Sequence, residues 1–216
     1  MMNLEPVTIV LILANVLPSI KGFDDQSFLN KYLFNISAIK YGQHFRMFTS
    51  GFLHADITHL LFNMLTLYFF ANYVIFTLGT QYFILIYLAS LLFGNLLSYF
   101  FHQNEPHYTA LGASGAVSGV LFSAILLYPN MNLYLMFIPI PIKGYVVGIG
   151  YLLFSIYGMK NRLGNIGHDA HFGGAVAGFV ITLILRPDRL YEETLLVILL
   201  AIPIVILFVM IKTGKI

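Results

Sequence analysis

Long apolar runs separated by short polar breaks dominate the chain, and their lengths predict membrane-spanning helices. The first run covers Glu5 to Ile20; Pro6 suits a first helical position, and Val7 to Leu17 is apolar except for Asn15. From Lys21 to Phe52 the pattern changes, with Asp24, Asp25, Lys31, Lys40 and Arg46 scattered among Phe28, Leu29, Leu33, Phe34, Ile36 and Ile39. Polar residues recur too often there for a span and apolar ones too often for disorder. The stretch therefore predicts a folded, partly interfacial loop with short amphipathic helices. A second span follows at Ile57–Leu78, a tight turn at Gly79 and Thr80, and a third span from Gln81 to Tyr99 or Phe101. After the polar stretch His102 to His107, a fourth span starts near Leu111 and is stopped by Pro129 and Asn130. Met131 to Lys143 is apolar but broken by Pro139 and Pro141, and reads as a surface loop. The fifth span is Gly144 to Met159. The sixth, His168 to Leu185, ends at Arg186, Pro187 and Asp188. The seventh, Leu195 to Ile211, carries Pro203 in its middle and is anchored by Lys212 and Lys215.

Composition agrees with this pattern. Hydrophobic residues make up 59% and charged residues 9% of the 216 residues, against roughly a quarter charged in ordinary soluble domains. The mean hydropathy is +0.84. An integral, all-α polytopic membrane protein follows. The net charge of +2 contains no basic tract, so nothing points to a nucleic-acid partner. Cysteine is absent, which excludes disulfides, thiol catalysis and cysteine-ligated metal. The first run has no Lys or Arg before it and further spans after it, so it is expected to be a retained helix, not a cleaved signal.

Crossing alternation gives the polar residues a common place. The second, fourth and sixth spans all enter from the face on which the first span ends, here called face B. His59 and Asn63 lie early in the second span, Ser114 early in the fourth and His171 early in the sixth, at similar shallow depth. Intramembrane polar groups are costly and mark functional sites. Ser114 sits within TALGASGAVSG, where Gly112, Gly115 and Gly119 leave one helix side bare. His171 opens AHFGGAVAG, with Gly174 and Gly178 at the same four-residue spacing. Close packing of two such faces would bring a hydroxyl beside an imidazole, the minimum for base-activated attack. Taken singly, Ser114 also reads as a small helix-contact residue and His171 as a structural histidine. Ser114 has no helical carbonyl behind it, and it lies where a helix N-terminus offers free N–H groups. His59 and Asn63, one turn apart, can either donate to an oxyanion or bridge helices. His54 adds a third histidine, but no carboxylate or HExxH pattern completes a metal site, and no metal or cofactor is expected. Asp169 stands two positions before His171, on another side of the helix, and reads as an interface or loop residue. Water is expected to enter from face B through a mouth formed by residues such as His102, Gln103, Asn104 and His107.

Three motifs together resemble the rhomboid family of intramembrane serine proteases: GxSG at Gly112–Gly115, AHxGGxxxG at Ala170–Gly178 and HxxxxHxxxN at His54–Asn63. The resemblance covers about Tyr41 to Leu185. It implies a six-helix rhomboid-like core in residues 1–186, with residues 21–56 as its first loop, and residues 187–216 as an additional seventh transmembrane helix. It further implies Ser114 as nucleophile and His171 as general base in a dyad. Asn63, His59 and the Ser114 backbone amide then form the oxyanion hole, supported by His54, Gly112, Gly115, Gly174 and Gly178. Phe45 and Arg46 look like the aromatic–arginine pair of the family's membrane-embedded loop, with Phe in place of the usual Trp. Where the family often has an aromatic four residues after the nucleophile, stacked on the histidine, this chain has Ser118.

The implied activity is cleavage of transmembrane protein substrates near the outer ends of their helices. The main alternative is a rhomboid-like protein that binds transmembrane segments without cutting them; a small transporter or channel would need inverted repeats or a charged midplane pathway, and neither is visible. Membrane lipids are the other expected partner, and nothing sets the oligomeric state. Eight cationic residues fall on face B (Lys21, Lys31, Lys40, Arg46, Lys160, Arg162, Lys212, Lys215) against three on the other (Lys143, Arg186, Arg189), which by charge alone would put face B in the cytoplasm. The resemblance implies the reverse: a bacterial cytoplasmic membrane, with the site opening to the outer side. Four of the eight belong to the folded first loop, and the reading follows the resemblance.

Overall fold

Nearly every residue from Gly115 to Leu127 is buried, although the helix that contains them is only 14 residues long. At about 1.5 Å per residue such a helix covers about 21 Å, short of a hydrocarbon core of about 30 Å. A helix that is apolar all round must be enclosed by other elements, and the rest of the chain wraps this one.

In the computed structural model, which describes residues 4–134, 140–164 and 166–216, the helices are α1 (Pro6–Asp24), α2 (Gln26–Tyr32), α3 (Ile36–Lys40), α4 (Arg46–Thr49), α5 (Ile57–Leu78), α6 (Thr80–His102), α7 (Ser114–Leu127), α8 (Gly144–Asn161), α9 (His168–Leu185), α10 (Arg189–Glu192) and α11 (Thr194–Lys212). Among the described residues, α1, α5, α6, α9 and α11 are long and apolar enough to cross a membrane, and α7 is a shorter apolar helix. The fold is an all-α polytopic membrane architecture: a six-helix core of α1, α5, α6, α7, α8 and α9, with α11 as a seventh long helix.

The α6, α7 and α9 helices meet at backbone distance. A Cβ on Gly174 or Gly178 would fall onto the backbone of Gly115 or Gly119, and one on Gly94 would meet the Ala170 carbonyl. Small residues permit this approach in a bilayer, where lipid is as apolar as leucine and close contact must hold helices together. Polar pairs add to it. The Thr182 and Ser123 hydroxyls are hydrogen-bonded at 2.8 Å between α9 and α7, and Asn15 Nδ2 donates to the Tyr87 hydroxyl at 3.0 Å between α1 and α6.

The helices α5 and α9 have the bounds the hydropathy pattern predicts. Others differ for local reasons. The first helix continues past Ile20 to Asp24 because its end packs into protein: Gly22 abuts Leu29 and Leu53, and Ser19 Oγ donates to the Phe52 carbonyl at 3.2 Å. The fourth long helix begins at Ser114 and not near Leu111. Thr109–Ala110 (β2) pairs antiparallel with Phe34–Asn35 (β1), and Gly112 adopts φ +135°, outside the helical range. Asn132–Leu133 (β3) pairs with Ile142–Lys143 (β4) in the loop after α7; Pro139 of that predicted surface loop lies outside the described residues. Helix α8 runs on to Asn161, where Arg162 turns left-handed at φ 50°.

The first loop is folded, with α2, α3 and α4 inside it. Its anchor is the buried Arg46, which donates to the Asn30 and Leu33 carbonyls, both at 2.8 Å, and to Gln43 Oε1 at 2.7 Å. Phe45 stays exposed, with the Arg46 guanidinium 5.7 Å from its ring centre.

Gly174→Ala should lower stability by about 1–3 kcal/mol, because the added methyl can be seated only by parting α7 from α9. Gly150→Ala, on α8 with nothing within 4 Å of the new methyl, should match or slightly exceed the wild type. Thermal midpoints in one detergent decide this, and equal midpoints for the two variants would refute the packing argument.

Candidate functional site

Ser114 is the first residue of α7, preceded by the N-cap Ala113 and by Gly112 at φ +135°. Its position leaves the first N–H groups of the helix without intrahelical partners, and among the described residues the Ser114 N–H has no hydrogen-bond acceptor. Gly112 makes room beside it. A Cβ there would lie 2.8 Å from His59 Nε2 and 3.6 Å from Ser114 Oγ, so the imidazole and the hydroxyl border the same space.

A cavity of about 960 Å³ opens from this point, lined by His59, Asn63, Gly112, Ser114 and His171 together with Asp56, Asn95, Tyr108, Ser118 and Tyr151. The structure thus brings four predicted groups to one space: Ser114 from α7, His171 from α9, and His59 and Asn63 from α5. Gly115 and Gly174, at the α7–α9 contact, set how near the first two can come. Among the described residues no hydrogen bond joins the Ser114 hydroxyl to the His171 ring. Such bonds are often long before substrate is bound. Asn63 is buried and returns one N–H to the His59 carbonyl at 3.2 Å, which leaves its second amide hydrogen for the cavity.

His54 stands behind the cavity and not in it. Its Nδ1 is 2.9 Å from Ser19 Oγ, and its Nε2 accepts the Ala113 N–H at 3.4 Å. Since the Ser19 hydroxyl donates to Phe52, the proton of His54 belongs on Nδ1, and Nε2 is free to accept. The Gly112 N–H donates to the Ser50 carbonyl at 3.0 Å. Both bonds fasten the segment ahead of Ser114 to the first loop.

Two expectations are corrected. Asp169 is a buried residue in the first turn of α9, 3.4 Å from His102 Nε2, and not a loop residue. That pairing, with Glu105 on the other imidazole nitrogen at 2.9 Å, turns His102 away toward a separate cavity between α6, α8 and α9. The mouth of the main cavity is formed instead by the exposed Asp56, Thr109 and Ile166. Sequence reasoning also missed Tyr151. Its ring stacks on that of His171 with centroids 5.9 Å apart and planes at 15°, and its hydroxyl is 2.6 Å from Ser118 Oγ. An aromatic in an apolar span 37 positions after Ser114 carries no local signal; only the missing aromatic at Ser118 hinted that support must come from elsewhere.

Residues 41–188 match the rhomboid domain family model. The chain is 30% identical over 200 residues to RHOMBOID-like protein 12, mitochondrial, of Arabidopsis thaliana, covering 85% of this chain and 59% of that one. It is 31% identical over 132 residues to Rhomboid protein 1, mitochondrial, of Saccharomyces cerevisiae, covering 60% of this chain and 38% of the relative. To Rhomboid protease GluP of Bacillus subtilis it is 33% identical over 145 residues, 66% of this chain and 26% of the relative. The chain thus spans about three fifths or less of the length of these relatives.

Burial lowers the pKa of His54 to about 3 from the usual 6.5; His59 adds to the shift and Asp56 opposes it. The unfolded chain therefore binds this proton first as pH falls. Stability linked to a neutral His54 is complete above about pH 6.5 and is lost progressively toward pH 3. Denaturation profiles between about pH 7 and pH 4 should be steeper for the wild type than for His54→Gln, by a slope approaching one proton. Parallel profiles would remove His54 from the acid response.

Proposed function

Because the chain belongs to the rhomboid family, we propose that it is an intramembrane serine endopeptidase that cuts transmembrane protein substrates with a Ser114–His171 dyad. The observation that carries this reading is the convergence of Ser114, His171, His59 and Asn63 on one cavity at the N-terminus of α7. In the proposed mechanism Ser114 Oγ attacks the scissile carbonyl while His171 accepts its proton. The oxyanion is met by donors that carry no fixed charge: the Asn63 amide, the His59 imidazole and the Ser114 N–H. His171 then protonates the leaving amine, and water entering past Asp56 and Thr109 hydrolyses the acyl-enzyme.

Backbone carbonyls of a substrate helix are hydrogen-bonded within that helix, so only a frayed or easily unwound stretch can reach Ser114. The cuts are therefore placed near the face-B end of single-span proteins, after a small residue, with Gly, Pro or polar residues just downstream. Residues 1–186 form the protease core in this proposal, residues 21–56 its first loop and residues 187–216 the added helix. The proposed setting is the bacterial cytoplasmic membrane with face B outward. Two of the named relatives are mitochondrial, so the side facing the cavity is the feature to test directly.

Purified wild type in liposomes should release fragments of a helix-destabilised substrate and take up a serine-directed fluorophosphonate label. Ser114→Ala should abolish both, and His171→Ala should remove cleavage from a folded protein. Asn63→Ala should reduce turnover by about 10–1000-fold with substrate association spared. Substrate capture without cutting or labelling would replace this reading with that of a non-catalytic binding protein. For orientation, a reporter active only outside the cytoplasm should report after Lys215 and not after Ile142; activity only after Ile142 would invert the assignment.

A further inference from the structure

If Ser114 and His171 act together, something must hold the imidazole at a fixed angle, and among the described residues no hydrogen bond from protein reaches that ring. Two rings do reach it. His168 meets it edge-on at 6.5 Å, from the same helix. Tyr151, from α8, lies nearly parallel to it.

The hydroxyl of Tyr151 is tied to the other half of the dyad. Ser118 Oγ donates to the Ser114 carbonyl at 2.7 Å, so its single hydrogen is used, and the 2.6 Å contact with Tyr151 has the tyrosine O–H as donor. The chain of contacts runs from the His171 ring to the Tyr151 ring, through the phenol to Ser118, and on to the carbonyl of Ser114. Phe122 closes over the tyrosine with its centroid at 6.0 Å, and the main-chain carbonyl of Tyr151 accepts the Ser155 hydroxyl at 2.8 Å. One side chain thus touches both α7 and α9 while its backbone belongs to a third helix.

We propose that Tyr151 is a positioning residue whose ring sets the plane of His171, the bond of its hydroxyl to Ser118 being only a secondary tether to α7. The proposal rests on the protease reading above. A misplacement of about 1 Å at a reacting group can lower a rate by about 100-fold, so support of this kind bears on kcat more than on KM. It also makes alignment of the dyad depend on where α8 stands.

Steady-state cleavage of one transmembrane substrate in liposomes tests it with Tyr151→Phe, Tyr151→Ala and Ser118→Ala. Tyr151→Ala should lose about 10–100-fold in kcat with KM within about 2-fold. Tyr151→Phe, which keeps the ring, should retain most of the rate, and Ser118→Ala should resemble it. Where Tyr151→Ala fails to fold, Tyr151→Leu keeps apolar bulk without a ring and takes its place. A second readout does not need activity: in micelles containing ¹³C-histidine, the His171 signal, identified by its loss in His171→Gln, should shift in Tyr151→Ala and stay near its wild-type place in Tyr151→Phe. An unmoved His171 signal, a wild-type kcat in Tyr151→Ala, or a Tyr151→Phe as impaired as Tyr151→Ala would each overturn the proposal. A wild type that cuts nothing would defeat the protease reading, while the histidine signal would still decide whether Tyr151 places the ring.

Discussion

The contact on which the rest of the structure depends is the backbone-level approach of α7 to α9. No hydrophobic force draws helices together in lipid, so this approach has to come from shape and from the absence of side chains at Gly115, Gly119, Gly174 and Gly178. Once it is made, a helix of 14 residues can stand enclosed by its neighbours without spanning the bilayer. Its N-terminus then lies inside the protein at membrane depth. A free N–H and a hydroxyl are held there beside a cavity, an arrangement that lipid alone would not tolerate.

A helix start placed inside a membrane also has to be fixed from the outside, and the first loop does this. Arg46 satisfies two carbonyls of that loop and so gives it one shape. The β1–β2 pairing joins the loop to Thr109 and Ala110, and the Ser50 carbonyl and His54 take up the N–H groups of Gly112 and Ala113. These bonds satisfy backbone groups that would otherwise be buried and unpaired. They also set the point at which helical geometry begins, which is what puts Ser114 in a first turn.

The parts of the fold that the bilayer dictates were legible in the chain. The bounds of α5 and α9 follow from apolar length, from Asp56 accepting the His59 N–H as a cap, and from Pro187 just beyond the end. The glycine pairs and the polar groups at matching depth were legible for the same reason, since lipid makes each of them expensive. What could not be read depended on partners distant in sequence. The start of α7 is displaced by a strand pair formed with Phe34 and Asn35. His102 belongs to a different cavity because Asp169 and Glu105 hold it there. Tyr151 looked like one more aromatic in a span, and its use emerges only where α8 meets both α7 and α9.

The seam between α8 and α11 is of another kind. Leu196, Leu200 and Leu207 pack there with Leu152 and Ile156, and Leu200 comes against Gly148. Among the described residues no side-chain hydrogen bond or ion pair crosses it, and leucine against leucine gains little over leucine against an acyl chain. The seventh helix and the surrounding lipid are therefore nearly interchangeable solvents for the same face of α8. Acyl-chain length and order, which alter how well lipid fills that face, thus compete with a part of the polypeptide itself for hold of the helix that carries Tyr151.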